Sequence, residues 1–261
     1  MGVTIKDMKQ RIYTLDALKF FASILIVFHH FQQVMQVRYD GFNFYGGVFY
    51  FGYIVELFFI LSGYFMGMSD VKNMQKTFTQ FFKEKVFRLL IMAAISVILY
   101  CLLFWIYQAI FHECWFGESV GIWRMLASLL MIHQGGVLNI GIGANNVIWY
   151  IDVLLICYVI YWIILWLAKR WQVTPYYMFA FVFLLGLGIQ QYGLAAPFLN
   201  GTVARGYYSF FFGLLLYKII EMSKDRYLKW MACFVLLFVC LIAFTDIKNV
   251  IPVSYTHLRD H

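Results

Sequence analysis

Long apolar runs alternate with short polar segments along most of this chain. A helix of roughly 20 mostly apolar residues crosses the hydrocarbon core of a bilayer, so each run of that length predicts a membrane span. The runs that qualify cover residues 15–35, 48–68, 87–107, 147–167, 176–192, 203–220 and 230–245. A further run, 122–132, is too short for a full span and predicts a re-entrant or interfacial helix.

This pattern predicts an all-α, polytopic transmembrane helix bundle. It has seven spans if residues 122–132 do not cross, and eight if they do. Composition agrees, because the chain is 63% hydrophobic and only 13% charged, whereas about a quarter of the residues of soluble domains are charged. A soluble fold would have too little polar surface to cover itself, so the bilayer is the expected solvent.

The net charge of +7 is informative mainly through its location. Most Lys and Arg residues lie in the N-terminal segment, in 69–86, at 169–170 and in 218–229, which fall on one side when residues 122–132 do not cross. Positive loops face the cytoplasm, so the N-terminus is predicted to be cytoplasmic. Segment 69–86 is predicted to be an amphipathic connector near the headgroups. This distribution argues against a nucleic-acid partner.

Three ionisable residues lie within the first span: Asp16, Lys19 and His30. At about 100° per residue, the eleven-residue step from Lys19 to His30 is three turns plus about 20°, so both share a face, about 16 Å apart along the axis. Asp16 falls about 40° to the other side of His30, and His29 about 100° away. The spacing predicts one polar stripe that enters the membrane from the cytoplasmic edge.

Each of these residues also has a purely structural interpretation. Lys19 alone is consistent with a lysine that reaches the headgroups, and His30 alone with a buried, hydrogen-bonded histidine. Their alignment with Asp16 favours function instead, because charges inside a span are costly and usually functional. A neutral imidazole with a pKa of about 6.5 is a competent general base.

The segment Leu15-Asp16-Ala17-Leu18-Lys19-Phe20-Phe21-Ala22, continued by His30-Phe31, resembles the start of the bacterial membrane acyltransferase family 3. The family pattern is an Arg, ten residues and a His on the first span. Lys19 occupies the Arg position, which keeps the positive charge but loses the bidentate fork of a guanidinium. His30 occupies the His position.

Later segments continue the resemblance in the same order. Glu56-Leu-Phe-Phe-Ile-Leu-Ser62-Gly63-Tyr64 resembles the second-span signature, with Glu where Asp is usual. Phe81 followed by Lys85-Val-Phe-Arg88-Leu89 resembles the element that opens the third span, with Lys for the first Arg and with Ile91 in place of a proline. The weaker later signatures are matched by Trp149-Tyr150-Ile-Asp152 and by Arg205 before Phe211-Phe212-Gly213.

Several of these residues have alternative interpretations that the sequence leaves open. Ser62-Gly63 is also typical of a small-residue helix contact, and Lys85 and Arg88 are also typical positive-inside residues. Trp149 is consistent with an interfacial anchor. Glu56 and Arg205 lie among few polar neighbours, which predicts an intramembrane pair involving them.

The resemblance implies an enzyme that moves an acyl group, typically acetyl, from acyl-CoA to a hydroxyl of a surface polysaccharide, a lipid-linked sugar or a related acceptor. It implies His30 as the catalytic residue, either as a base or as a transiently acylated group, and Lys19, Lys85 and Arg88 as contacts of acyl-CoA. The predicted supporting residues are Asp16, Glu56, Ser62, Trp149, Asp152 and Arg205. The expected co-substrate is acyl-CoA, with membrane lipids and a glycan or lipid-linked acceptor as partners.

We expect no permanently bound cofactor and no metal. His112, Glu113, Cys114 and His133 do not have the spacing of a metal site. The competing interpretation of the bundle is a transporter or flippase, although paired repeats and Gly- or Pro-broken helices are not evident. Residues 1–250 are expected to form one acyltransferase domain that is incomplete at its C-terminal end, and 251–261 a tail of doubtful origin.

Overall fold

In the computed structural model, residues 13–35, 37–39, 42–43, 51–112, 122–132 and 148–222 are described. Within them the chain forms nine α-helices and two short antiparallel pairings of two-residue strands, which confirms the all-helical prediction. The helices are α1 (Tyr13–Met35), α2 (Ile54–Gly67), α3 (Asp70–Met74), α4 (Phe78–Lys85), α5 (Phe87–Phe111), α6 (Ile122–Leu129), α7 (Trp149–Trp171), α8 (Tyr176–Tyr192) and α9 (Gly201–Met222). The strands are β1 (Arg38–Tyr39), β2 (Phe42–Asn43), β3 (Ala195–Ala196) and β4 (Leu199–Asn200).

Six of the predicted spans coincide with helices, and the seventh, 230–245, lies outside the described residues together with the tail. The largest boundary difference is at α2, which begins at Ile54 after a 3-10 turn at Phe51–Tyr53 rather than at residue 48. The predicted connector consists of α3 and α4. Thr77 separates them, because its hydroxyl accepts from the backbone N–H of Gln80 and the Gln80 side chain accepts from the N–H of Thr77, a reciprocal cap that starts a new helix.

The structure divides into two compact units. The described part of the first unit runs from residue 13 to Phe58, and that of the second from Phe59 to Met222. In the first unit, α1 contacts the 3-10 turn, where the rings of Phe28 and Phe51 lie 6.1 Å apart.

Helix α1 exposes apolar side chains and buries polar ones, which is the reverse of a helix at the surface of a soluble protein. Its outward face carries large apolar side chains, among them Phe20, Phe21 and Val27, which are 62–69% exposed. Its buried positions include His29 and Gln32. An apolar exterior around polar buried groups is the arrangement that lipid favours.

Two of the described helices are long and apolar enough to cross a membrane, Leu89–Phe111 within α5 and Trp149–Trp171. On α5 the buried residues Ala93, Val97, Cys101 and Phe104 recur every three or four positions and form one stripe. Most of the remaining α5 surface consists of exposed aliphatic and aromatic side chains. The helix therefore packs along one side and presents hydrocarbon along the rest.

In the second unit, α2, α7 and α9 run in the same direction. Ser62 of α2 meets Tyr150 near the start of α7, and four residues later Met66 accepts a hydrogen bond from the hydroxyl of Tyr161. Residue numbers also rise together from α7 to α9, because Gly206 faces Val153 whereas the Phe210 ring contacts Tyr158 and Tyr161. Helix α8 follows α7 and precedes α9 in the chain, and it packs extensively on α9.

The described part of helix α6 has eight residues, fewer than the roughly 20 that cross a bilayer. It packs with α5 and α7 in a cluster built on Val97, Cys101, Met131 and Ile148. The shared direction of α2 and α7 fits a layout in which α5 alone crosses between them. This observation favours the seven-span prediction over the eight-span one.

Helices α2 and α9 approach so closely that Gly63 and Gly213 cannot carry side chains. A Cβ on Gly63 would overlap the carbonyl oxygen of Phe210, and a Cβ on Gly213 would overlap that of Ile60. Of the two interpretations of Ser62-Gly63, the small-residue helix contact therefore holds for Gly63. Small residues at such crossings let backbones touch, which is how helices associate when lipid offers no hydrophobic gain.

We predict that Gly213→Ala destabilises the protein. The new methyl group meets the backbone of α2, which cannot move aside, so a loss of about 1–3 kcal/mol is expected. Thermal unfolding of the purified protein in detergent measures the change.

Gly188→Ala on α8 is the matched control, because a Cβ there has no heavy atom within 4 Å. Alanine favours helix by up to about 1 kcal/mol over glycine, so this variant should melt at the same temperature or higher. Equal effects of the two substitutions would contradict the proposed helix contact.

Candidate functional site

The predicted catalytic face lies on one uninterrupted helix in the first unit. Lys19 and His30 are both half-buried residues of α1, as is Asp16. The hydroxyl of Ser23 donates to the Lys19 carbonyl at 2.8 Å, which ties the backbone at the start of the helix. The His30 Nδ1 lies 3.3 Å from the Gln33 side-chain oxygen, so it donates to that amide when Nδ1 carries the proton.

Helix α1 carries a second polar group that was not predicted from the sequence. His29 and Gln32 are 7% and 1% exposed, and the side-chain amide atoms of Gln32 have no hydrogen-bond partner among the described residues. The His29 and His30 rings lie edge to face with centroids 5.5 Å apart. The three-residue spacing of His29 and Gln32 places both on one helix face and is the signal that would have identified them. Glu56, in the first turn of α2, is also buried.

In the second unit, a cation–π contact joins two predicted supporting residues. The Arg205 guanidinium carbon lies 4.8 Å from the centre of the Trp149 ring. This contact connects the start of α7 with the first turns of α9. A guanidinium over an indole face is an attractive pair, stronger where water is excluded. The aromatic face therefore offsets part of the cost of an arginine within a predicted span.

Phe59 and Tyr150 complete this cluster. The Phe59 ring lies 4.5 Å from that of Tyr150 and 6.2 Å from that of Trp149, and the Ser62 hydroxyl lies 3.3 Å from the Tyr150 hydroxyl. Asp152, in the first turn of α7, is 1% exposed. We call Phe59, Ser62, Trp149, Tyr150 and Arg205 the tryptophan cluster; Phe59 was not singled out from the sequence.

The opposite end of the second unit is basic. It is formed by α3, α4, the start of α5 and the ends of α7 and α9, and we call it the basic end. Lys76 and Glu84 form an ion pair at 2.5 Å. Lys85 is the last residue of α4, and burial together with repulsion by Lys76 lowers the pKa of its ammonium group. Arg88 is the second residue of α5.

The carboxylates at the basic end are already bonded. The hydrogen bond from Lys76 lowers the pKa of Glu84, and the positive charges of Lys72 and Lys85 lower it further. Asp70 accepts a hydrogen bond from the Tyr176 hydroxyl at 2.6 Å, and Glu221 pairs with Lys218 at 2.6 Å. The acidic residues therefore leave a positive excess at this end.

The structure thus brings together only some of the predicted site residues. Ser62, Trp149 and Arg205 belong to the tryptophan cluster, and Lys85 and the start of α5 belong to the basic end. Asp16, Lys19, His30 and Glu56 belong to the first unit. Within the described ranges no group of three His, Cys, Asp or Glu residues is arranged to hold a metal ion, and three of the residues weighed for one, Glu113, Cys114 and His133, lie outside those ranges.

The sequence model of the acyltransferase 3 family (Acyl_transf_3, an acyltransferase domain) matches residues 12–252. No curated protein and no solved structure matches the chain. The matched range includes every residue of α1, the tryptophan cluster and the basic end. The apolar exterior of α1 and α5 and the family match together indicate that the chain lies in lipid, and the match identifies its chemistry as acyl transfer. The chain belongs to the acyltransferase 3 family, and it is a membrane acyltransferase that uses an acyl donor and an acceptor.

Proposed function

We propose that this protein is a multi-pass O-acyltransferase of the bacterial cytoplasmic membrane. It moves an acyl group, with acetyl the first choice, from acyl-CoA to a hydroxyl of a cell-surface polysaccharide, a lipid-linked sugar or a related acceptor. The observation that carries the proposal is the continuous helix α1. Lys19 and His30 are both half-buried on it and are separated by only about 20° around the helix axis.

The donor enters at the basic end, which takes the cytoplasmic side under the positive-inside rule. Coenzyme A is a polyanion, and lysine ammonium groups bind phosphate as compact point charges. We assign its pyrophosphate to Lys85 and Arg88, and Lys19 stays a proposed contact of acyl-CoA. The buried ammonium of Lys85 suits this role, because an incoming anion offsets both its desolvation and its repulsion by Lys76.

His30 serves as the general base for the transfer step. Its neutral imidazole takes the proton of the acceptor hydroxyl while that oxygen attacks the thioester carbonyl. The new C–O bond forms, the C–S bond breaks, and the imidazolium returns the proton to the departing CoA thiolate. A transiently acylated His30 is the second route, and rapid quenching followed by mass analysis of the protein distinguishes the two.

The acceptor is expected to enter from the side opposite to the donor. The tryptophan cluster is the candidate surface there, because an indole and a guanidinium side by side offer an apolar face and hydrogen-bond donors. Asp152 is proposed to support this region as an acidic residue, and Glu56 stays a proposed supporting residue in the first unit. The transporter alternative has no comparable support, since the family match is to an acyltransferase.

We predict that His30→Ala abolishes acyl transfer and leaves membrane insertion intact. Loss of a positioned base lowers kcat by about 10²–10⁴-fold. Transfer from labelled acyl-CoA in membranes with equal amounts of protein measures it. His29→Ala is the matched control and should retain turnover; loss of activity in His29→Ala alone would move the base to the neighbouring histidine.

We predict that replacing Lys85 and Arg88 with Gln raises the KM for acyl-CoA. Each lost charged contact is worth about 1.5–3 kcal/mol, so a rise of about a hundredfold or more is expected for the pair. An unchanged KM would remove both residues from the donor site.

We predict that the KM for acyl-CoA rises with pH as Lys85 loses its proton. The lowered pKa of this ammonium group places the rise below the ordinary lysine range of about 10.4. In Lys85→Arg the guanidinium stays charged, so the rise should disappear or move to higher pH. The rates are measured after subtraction of spontaneous thioester hydrolysis, and identical pH profiles for both proteins would count against the role of Lys85.

A further inference from the structure

A cavity of about 340 Å³ opens at the basic end of the second unit. It lies between the segment that joins α3 to α4 and the last turns of α7. Its volume is in the lower part of the range of small-molecule sites, about 300–1,000 Å³. Lys85, assigned above as a donor contact, does not line it.

One side of the cavity is aromatic. Trp162 and Phe78 both line it, and their rings meet edge to face with centroids 5.1 Å apart. Trp166, which also lines the cavity, is 46% exposed. Indole rings next to an open cavity provide surfaces on which a flat heteroaromatic ring stacks.

Two positively charged side chains, those of Lys76 and Lys169, also line the cavity. The side chain of Lys76 is only 11% exposed, whereas that of its partner Glu84 is 53% exposed. Lys76 also donates to the Asn73 side-chain oxygen at 3.3 Å. Lys169 is exposed in the last turn of α7. The ammonium group of Lys76 is therefore held within the cavity wall, and that of Lys169 is exposed at the rim.

The described lysines around the cavity outnumber the carboxylates. Glu84 pairs with Lys76, and the charges of Lys72 and Lys85 also lower its pKa, so positive charge remains after that pairing. At the start of α4 the backbone N–H of Gln80 already donates to the Thr77 hydroxyl. The lysines are the charged groups through which an anion in the cavity would bind.

We infer that this cavity binds the nucleotide end of acyl-CoA, with the purine stacked on Trp162 and the ribose phosphate between Lys76 and Lys169. The inference rests on the proposed function, because it takes acyl-CoA as the donor. It extends the donor site from the pyrophosphate contacts to the adenosine. A lipid headgroup shares the phosphate but has no ring to stack, so the aromatic wall favours the nucleotide.

The test compares two donors on the purified full chain in detergent: acyl-CoA, and an S-acyl pantetheine that lacks the nucleotide. Lys169→Gln should lower kcat/KM for acyl-CoA by about tenfold, the size of one charged hydrogen bond. The same variant should leave kcat/KM for acyl-pantetheine unchanged. Trp162→Leu, which removes the ring but keeps an apolar side chain, should show the same selective loss.

Lys83→Gln is the matched control, because Lys83 is exposed on α4 and does not line the cavity. It should leave both donors unaffected. Equal losses with both donors, or no loss with either, would overturn the inference. So would an effect of Lys169→Gln that appears only as lost thermal stabilisation by phosphatidylglycerol vesicles, because the cavity would then hold a lipid headgroup.

Failure of the proposed function has a separate signature, in which the wild-type protein turns over neither donor. Binding of adenosine 3′,5′-bisphosphate, measured by calorimetry, then still tests the cavity. Binding that is weakened about tenfold in Lys169→Gln supports the site, and equal or absent binding in both proteins rejects it.

Discussion

Backbone contact between helices is the constraint on which the second unit depends. Gly63 and Gly213 each face a carbonyl group of the partner helix, and Gly206 faces Val153 of α7. In lipid, apolar side chains gain little by leaving the solvent, so packing at short range has to hold helices together. The Ser62–Tyr150 and Tyr161–Met66 contacts form because these glycines bring α2, α7 and α9 side by side. The basic end and the tryptophan cluster are consequently fixed at opposite ends of one parallel set.

The helices could be predicted well where local chemistry starts and ends them. The bounds of α8, Tyr176–Tyr192, agree with the prediction, since Pro175 precedes the helix and Gly193 ends it with a φ of 62°. The start of α2 was missed because the apolar pattern of residues 48–53 does not distinguish a 3-10 turn from an α-helix. The break between α3 and α4 depends on the reciprocal cap of Thr77 and Gln80, whose spacing is visible in the sequence.

The candidate site was predictable only in part, for a physical reason. Residues on one helix follow from periodicity, so the shared face of Lys19 and His30 could be derived. The contact between Arg205 and Trp149 joins residues 56 positions apart, and no local pattern in the sequence selects that indole as a partner of the arginine. The cavity beside Trp162 depends on how α3 and α4 fold onto α7, which periodicity does not contain.

The shared direction of α2, α7 and α9 also aligns their peptide dipoles. Each helix carries about half a positive charge at its N-terminal end and half a negative charge at its C-terminal end. The acidic residues Glu56 and Asp152 lie in the first turns of α2 and α7, and Lys169 lies in the last turn of α7, so these side chains complement the dipoles. Arg205 is placed against this field near the start of α9, and its indole partner makes that position tolerable. The bundle is thus polarised along its axis. At the end that carries the lysines, the partial negative charges of the helix C-termini reduce the attraction for a polyanion, and the positive side chains restore it.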